Sequence, residues 1–164
     1  LEDWSNGIKN SPDYVWKMLD KYAGMGFGRI ILPDTLGILN PFDTCEFIGE
    51  TVRRYPEIAF EFHAHNDYGM AVANSLAAVR AGVKGVHVTV NGLGERTGNV
   101  DLAQIAAAIK DHTDFDTTVN ERNQYSGRNL QRQAHCAEYA DFGQGCLYPN
   151  GRDTCRRRQK RQPL

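Results

Sequence analysis

The chain has 164 residues, of which 41% are hydrophobic, and its formal net charge is -1. This composition is typical of a globular protein and excludes a chain that is disordered throughout. No run approaches the roughly 18 consecutive apolar residues of a membrane span and no signal-peptide pattern opens the chain, so we expect a cytoplasmic protein without a membrane partner.

Helical and strand-like patterns alternate over the first 125 residues. Four stretches have apolar residues at helical spacing: one from Ser11-Pro12, one from Asn40-Pro41, one over about 70–81 that closes at Gly82, and one that carries Leu102, Ile105, Ala106 and Ile109. Three strands lie between them, at residues 29–32, 58–65 and 85–91. The second strand alternates strictly, with Phe60, Phe62 and Ala64 on one face and Glu61, His63 and His65 on the other.

The strand ends fall at Asp34, His65 and Asn91, which are 31 and 26 residues apart. This spacing predicts right-handed βαβ units and a parallel sheet, so the fold class is α/β. A (β/α)8 barrel takes about 250 residues, so three strands, or four if residues 1–3 end another, make at most half of one. In such folds sites form where strands meet their following loops, although Asp34 and Thr35 also suit an ordinary turn.

Two histidines stand at the end of the second predicted strand. His63 and His65 lie on one face of a strand, where two imidazoles can bind one divalent cation, although strand histidines are more commonly structural.

A glycine-rich stretch follows the third strand. Its residues Asn91, Gly92, Gly94 and Glu95 are candidates for binding an anionic substrate through the backbone. The stretch lacks the Walker ending and the dinucleotide-binding spacing. The alternative is a tight turn with Asn99 as the N-cap of the next helix.

Three sequence strings are far more specific in combination than any of these features alone. LPDTLG, FHAHNDYGMAVANSLAAVRAG and VTVNGLGERTGN, in this order and spacing, closely resemble the metal-dependent Claisen-condensing acyltransferases that include 2-isopropylmalate, homocitrate and citramalate synthases. The resemblance runs from Glu2 to about Asn123. It implies that residues 1–123 are the C-terminal half of a catalytic TIM barrel, about its last three to four β/α units.

The resemblance also implies a site and a reaction. The positions of His63 and His65 would hold a catalytic divalent cation, zinc, manganese or magnesium, with Asn99 near it. The position of Thr35 would bind the carboxylate of a 2-oxo acid, and Glu2 would lie near the reacting carbonyl. The implied reaction condenses acetyl-CoA with 2-oxoisovalerate or a similar acid, in leucine biosynthesis, and needs a Lewis acid, a base and an oriented carboxylate. We expect a homodimer.

The resemblance ends after about Asn123. Synthases of this type carry an Arg-Asp or Arg-Glu pair on their first strand, which has no counterpart here, so we expect this chain alone to be inactive. They also continue into a Gly-Ile-His-Ala-Asp-Gly-Asp motif. Codons that can encode residues 152–164 yield this motif when they are read from one nucleotide later. We therefore interpret residues 124–164 as an out-of-frame, disordered or loosely packed tail. Under this interpretation its basic run at 156–161 is accidental, so we expect no nucleic-acid partner.

Two other functions remain open at this point. A lyase or aldolase of the same superfamily shares the two-histidine strand, but its hydroxymethylglutaryl-CoA members place a cysteine in the loop where Gly94, Glu95 and Arg96 stand here. A non-catalytic half-barrel would pair its open sheet edges with another chain.

Overall fold

Helices and strands alternate along most of the chain in the computed structural model, which describes residues 1–115, 117, 119 and 138–141. The helices are α1 (Trp4–Asn10), α2 (Pro12–Gly24), α3 (Pro41–Arg54), α4 (Ala71–Ala81) and α5 (Leu102–His112). The strands are β1 (Arg29–Asp34), β2 (Ala59–Ala64), β3 (Gly85–Val88) and β4 (Glu138–Asp141), and a 3-10 turn, Val90–Gly92, follows β3. No helix in these ranges is long and apolar enough to cross a membrane.

The strands form one sheet in the order β1-β2-β3-β4. β1, β2 and β3 are parallel and are connected by helices, which confirms the predicted α/β fold and its succession of β/α units. β4 pairs with β3 in the antiparallel direction. β4 is the part of the 124–164 tail that the structure describes, and the predicted disorder of the remaining tail residues lies outside the described residues.

Local chemistry fixes several helix boundaries. α3 begins at Pro41 because the side chain of Asn40 accepts hydrogen bonds from the backbone N–H groups of Phe42 and Asp43, at 2.9 and 3.0 Å. α2 also begins at its proline, but there Ser11 contributes no side-chain cap and only its carbonyl accepts. α4 ends at Gly82, whose φ of 109° is left-handed, as predicted.

The structure differs from the sequence expectations, or decides between open alternatives, at three places. Residues 1–3 are not assigned to a strand and are followed by the short helix α1, in which Trp4, Ser5 and Ile8 are buried. β3 ends at Val88 rather than at Asn91, because the chain turns into a 3-10 helix at Val90–Gly92, where Asn91 has a left-handed φ of 58°. The N-cap of α5 is Asp101, whose carboxylate accepts from the backbone N–H of Gln104, and Asn99 does not cap this helix.

The side chains of the three parallel strands separate into two faces. The helix-packed face consists of buried apolar residues: Ile30, Leu32, Phe60, Phe62, Val86 and Val88. They form one core with Ile48 of α3, Val79 of α4, and Ile105 and Ile109 of α5. The other face, called the inner face below, carries the alternate residues: Arg29, Ile31, Pro33, Glu61, His63 and His87. The loops that follow the strands lie at one edge of the sheet, where the candidate site residues are found.

Candidate active site

His63 and His65 converge at the carboxyl end of β2. Their Nε2 atoms are 3.3 Å apart, and the two rings cross at 78° with centroids 5.0 Å apart. The backbone N–H of His65 donates to the carbonyl of Asp34 at 3.3 Å, which ties the end of β2 to β1. Two nitrogen ligands about 2.1 Å from one ion would stand roughly 3.0–3.4 Å apart, so the observed separation suits a shared cation.

The protonation state of His63 also suits metal binding. Burial, together with the neighbouring His87 and His65, lowers the pKa of His63 to about 4, while Glu95 opposes that change. His63 is therefore neutral at physiological pH, which is the form that ligates metals. The Nδ1 atoms of both His63 and His65 are buried without a hydrogen-bond partner in the described part of the chain, so no described group fixes their orientation from behind.

Asn99 is the third polar group at this point. Its side-chain Nδ2 is 3.4 Å from Nε2 of His63 and 3.4 Å from the carbonyl of Ala64, and the residue is 8% exposed. Turning the amide by 180° would present Oδ1 to the imidazoles, and oxygen is the amide atom that ligates metals. Within the described residues, no group of three or more His, Cys, Asp or Glu side chains could hold a metal ion. The donor set that fits a cation is thus two imidazoles and one amide.

The glycines of the 91–99 stretch make room for Asn99. A Cβ at Gly94 would overlap the side-chain oxygen of Asn99, and one at Gly98, where φ is 98°, would overlap the carbonyl of Gly92. The N–H of Asn99 donates to that carbonyl at 2.9 Å, and the N–H of Gly98 donates to Glu95 at 2.9 Å. The carbonyl of Gly92 is thus used inside the loop and Gly94 leaves space for the side chain of Asn99, whereas the substrate contacts of Gly92 and Gly94 stay a prediction.

Thr35 stands at the end of β1, where the chain start meets it. Its Oγ1 accepts a hydrogen bond from the backbone N–H of Asp3 at 3.1 Å. Accepting this bond uses a lone pair and not the hydroxyl hydrogen of Thr35, which can still donate to an anion. Asp3 holds a left-handed φ of 48°, and its buried Oδ1 has no partner among the described residues. Glu2 is exposed beside this junction, and Asn91 is exposed in its own loop.

Sequence reasoning gave no separate role to an ion pair at the same edge. Arg96 donates from Nε and Nη2 to the two carboxylate oxygens of Asp67, each at 2.8 Å, and from Nη2 to the carbonyl of Thr35 at 2.7 Å. The pair lowers the pKa of Asp67 and raises that of Arg96. The two residues are 29 positions apart, so no local pattern could have predicted their contact.

The inner face carries a second group of polar residues below the histidine pair. Glu61 is 1% exposed, although it is ionisable, and its carboxylate meets Arg29 on one side and Nε2 of His87 at 3.1 Å on the other. The ring of His87 lies 5.4 Å from that of His63. A cavity of about 420 Å³ lies over this face; it is lined by Leu1, Tyr22, Phe27, Arg29, Ile30, Ile31, Pro33, His63 and His87. The strict alternation of β2 predicts that Glu61 shares a face with His63, and the structure confirms this placement.

Comparison with known proteins gives concordant matches. The family described as HMGL-like matches residues 5–130. The homocitrate synthase of Sulfurisphaera tokodaii is 48% identical over 107 residues, which cover 65% of this chain and 23% of that protein. The homocitrate synthase of Saccharolobus solfataricus is 49% identical over 127 residues, 77% of this chain and 28% of that protein.

A solved structure matches as well. An HMG-CoA lyase from Acinetobacter baumannii, in complex with coenzyme A and 3-methylmalate, superposes with a TM-score of 0.56 and 25% identity over 62% of this chain and 35% of that chain. The present chain spans about a quarter of the length of the curated relatives it matches.

Proposed function

Because the chain belongs to the HMGL-like family, and within it to the TIM-barrel condensing enzymes that include the 2-isopropylmalate and homocitrate synthases, we propose that it is part of a Claisen-type acyltransferase. In the reaction a base would remove a methyl proton of acetyl-CoA, and the methyl carbon would bond to the keto carbon of a 2-oxo acid, whose keto oxygen becomes a hydroxyl. Water would cleave the thioester to release CoA. The observation that carries this proposal is the convergence of His63 and His65 at the end of β2, with Nε2 atoms 3.3 Å apart, beside the Thr35 turn.

The residues at the sheet edge divide the work of this reaction. His63 and His65, with Asn99 as a third ligand, would hold the divalent cation on which such enzymes generally depend. When bound, the cation supplies a Lewis acid for the keto oxygen. Thr35 would donate its hydroxyl hydrogen to the carboxylate of the 2-oxo acid, while its oxygen accepts from the N–H of Asp3. Glu2 is proposed to lie near the reacting carbonyl.

The glycine-rich loop completes the proposed site on its open side. The backbone of Asn91, Gly92 and Gly94 would border the substrate. Glu95, whose side chain is 81% exposed, would lie at the mouth, where its charge already acts on His63.

The names of the curated relatives refine the choice of 2-oxo acid. Homocitrate has three carboxylates, and acetyl-CoA supplies one of them, so a homocitrate-forming enzyme takes a 2-oxo acid with two carboxylates. We propose such a dicarboxylic acid as the first substrate to test and 2-oxoisovalerate, which would place the enzyme in leucine biosynthesis, as the second. A second copy of the chain is the proposed partner.

A lyase of the same family is the second candidate function. It is favoured by the likeness to an HMG-CoA lyase structure that holds coenzyme A and 3-methylmalate. The loop argues against it, because Gly94, Glu95 and Arg96 stand where the hydroxymethylglutaryl-CoA lyases place a cysteine. Cleavage of a hydroxyacyl-CoA, rather than release of CoA from acetyl-CoA, would distinguish it. Absence of both activities with retained self-association would leave the non-catalytic half-barrel.

The metal site gives the most direct test of the proposed function. Titration with Co²⁺ should produce d–d absorption bands in the wild-type chain, and His65→Ala should weaken Co²⁺ binding by at least about 10-fold because one of the two imidazoles is lost. His112→Ala is the matched control, since His112 is an exposed histidine at the end of α5. Equal Co²⁺ affinity in wild type and His65→Ala would remove the site assignment.

The limits of the domain are also a proposal. We propose that residues 1–123 belong to the catalytic barrel and that residues 124–164 are translated out of frame. This rests on the family resemblance and on the shifted codons described above. Nucleotide sequencing across this region tests it: the second reading frame should encode the Gly-Ile-His motif, and an intact frame without that motif would refute the proposal.

A further inference from the structure

The guanidinium of Arg96 joins three different loops at the edge of the sheet. It belongs to the loop between β3 and α5, it binds both carboxylate oxygens of Asp67 in the loop between β2 and α4, and it donates to the carbonyl of Thr35 in the loop between β1 and α3. A planar guanidinium matches a carboxylate with two parallel hydrogen bonds, which fixes orientation as well as distance. Arg96 thus makes three hydrogen bonds to groups in two loops other than its own.

Each end of this contact lies next to a proposed site residue. Thr35 is itself the proposed carboxylate-binding residue. Asp67 follows His65 by two residues, and Arg96 precedes Asn99 by three. A shift of the Asp67–Arg96 pair would therefore change the position of Thr35 relative to the histidines.

The surrounding backbone is built closely around the pair. A Cβ at Gly37, where φ is 60°, would lie 2.8 Å from the carboxylate of Asp67, so only glycine lets the first loop approach so closely. The N–H of Asn66 donates to the carbonyl of Gly98 at 3.0 Å, which joins the second and third loops directly. Arg96 has a left-handed φ of 56°, a conformation that a residue with a side chain keeps only where its contacts hold it.

We propose that the Asp67–Arg96 pair is a clasp that sets the spacing between Thr35 and the His63–His65 pair, so that Asp67 and Arg96 are positioning residues for the 2-oxo acid. The role in positioning the 2-oxo acid rests on the proposed function, whereas the contact that joins the three loops rests on geometry alone. Lysine in place of Arg96 would keep the charge, but its single ammonium cannot reproduce the fork that reaches both carboxylate oxygens and the carbonyl of Thr35.

Amide hydrogen exchange of Arg96→Lys tests the clasp without any ligand. The N–H groups of Ile38, Gly69 and Gly98 are hydrogen-bonded within the three loops. We expect them to exchange at least about 10-fold faster in the variant, because the loops open locally, while the N–H of Gly82 at the end of α4 stays as in wild type. Arg54→Lys, in an exposed ion pair with Glu50 on α3, is the matched control and should leave all four amides unchanged. Loop exchange within about twofold of wild type would overturn the clasp.

Ligand titration then tests positioning. With Co²⁺ as the metal probe and 2-oxoglutarate as the dicarboxylic 2-oxo acid, Arg96→Lys should raise the Kd of the acid at least about 10-fold and change the Kd of Co²⁺ by less than about twofold. Loss of Co²⁺ affinity by the same factor would show a general structural role and overturn the positioning claim. Failure of the wild-type chain to bind Co²⁺ or the acid would refute the proposed function, and the exchange result would still decide the clasp.

Discussion

The two faces of the parallel sheet are built from the same three strands and have opposite chemistry. On the helix-packed face, Phe60, Phe62 and Val86 are almost completely buried against the helices, and they have no polar atoms to satisfy. On the inner face, Glu61 is equally buried but relies on ionic and hydrogen-bonded partners. Since side chains alternate along a strand, one stretch of β2 contributes every second residue to the apolar core and presents ionisable side chains with the others.

Substitutions on the two faces should have different effects because the faces rely on different interactions. Apolar side chains need only close packing, and those of the helix-packed face are buried among the described residues. The inner face keeps buried nitrogen atoms, Nδ1 of His63 and of His65, that have no partner there. Changes on the first face should therefore alter the free energy of unfolding through lost packing. Changes on the second should alter it through lost charge and hydrogen-bond partners, and should in addition alter the proposed metal and substrate binding.

The largest effect is expected from Phe62→Ala on the helix-packed face. The side chain is fully buried, so its removal should lower the free energy of unfolding by about 3–5 kcal/mol through lost burial and the remaining cavity. Phe42→Ala is the control, because Phe42 is 85% exposed and should change stability by less than about 0.5 kcal/mol. Urea unfolding measures both, and similar losses in the two variants would contradict the assignment of the core.

The next effect tests whether the inner face contributes to stability through its charges. Glu61→Gln keeps the shape of the side chain but weakens its hydrogen bonds with Arg29 and His87, and we expect a loss of about 1.5–3 kcal/mol in urea unfolding. Glu50→Gln, which removes the partner of Arg54 on an exposed helix surface, should cost at most about 0.5 kcal/mol. A Glu61→Gln variant as stable as wild type would mean that the inner face does not depend on this charge.

The order of elements could be predicted because their signals are local. Proline after Asn40 marks the start of α3, and Gly82 marks the end of α4, so both boundaries follow from single residues. β3 was predicted too long because Val90 continues the apolar alternation, whereas Asn91 and the residue after it turn left-handed. α1 was missed because seven residues with few buried apolar positions give too weak a periodicity.

The parts of the candidate site that depend on local sequence patterns could be predicted, and the parts that depend on loop packing could not. His63 and His65 share a face by the period of two, and the structure brings their Nε2 atoms together. The Asp67–Arg96 pair was not predictable in this way, because its contact depends on how two loops pack. Asn99 was a plausible helix cap by residue type, but its side chain turns to His63 instead.

Acid should destabilise the inner face through His63. Its pKa is about 4 in the folded chain and 6.5 when unperturbed, so the unfolded state binds more protons between these values and the free energy of unfolding falls as the pH drops from about 6.5 to about 4. Because His63 is only partly buried, we expect a loss on the order of 1–2 kcal/mol. In His63→Gln this part of the pH dependence should disappear, and an unchanged slope in urea unfolding at several pH values would contradict the assignment.

The smallest effect concerns the helix layer alone. Asn40→Ala removes the oxygen that accepts from the N–H groups of Phe42 and Asp43, and should lower the free energy of unfolding by about 1 kcal/mol. Asn40→Asp keeps an acceptor at the same place and should be nearly as stable as wild type. Both variants should bind Co²⁺ as wild type does, since Asn40 contributes to the layer that packs on the sheet and not to the inner face.

An Asn40→Asp variant as unstable as Asn40→Ala would show that the amide NH₂, rather than the accepting oxygen, stabilises the start of α3. A loss of Co²⁺ affinity in either variant would show that the start of α3 and the His63–His65 pair are coupled, which the separation of the two faces excludes.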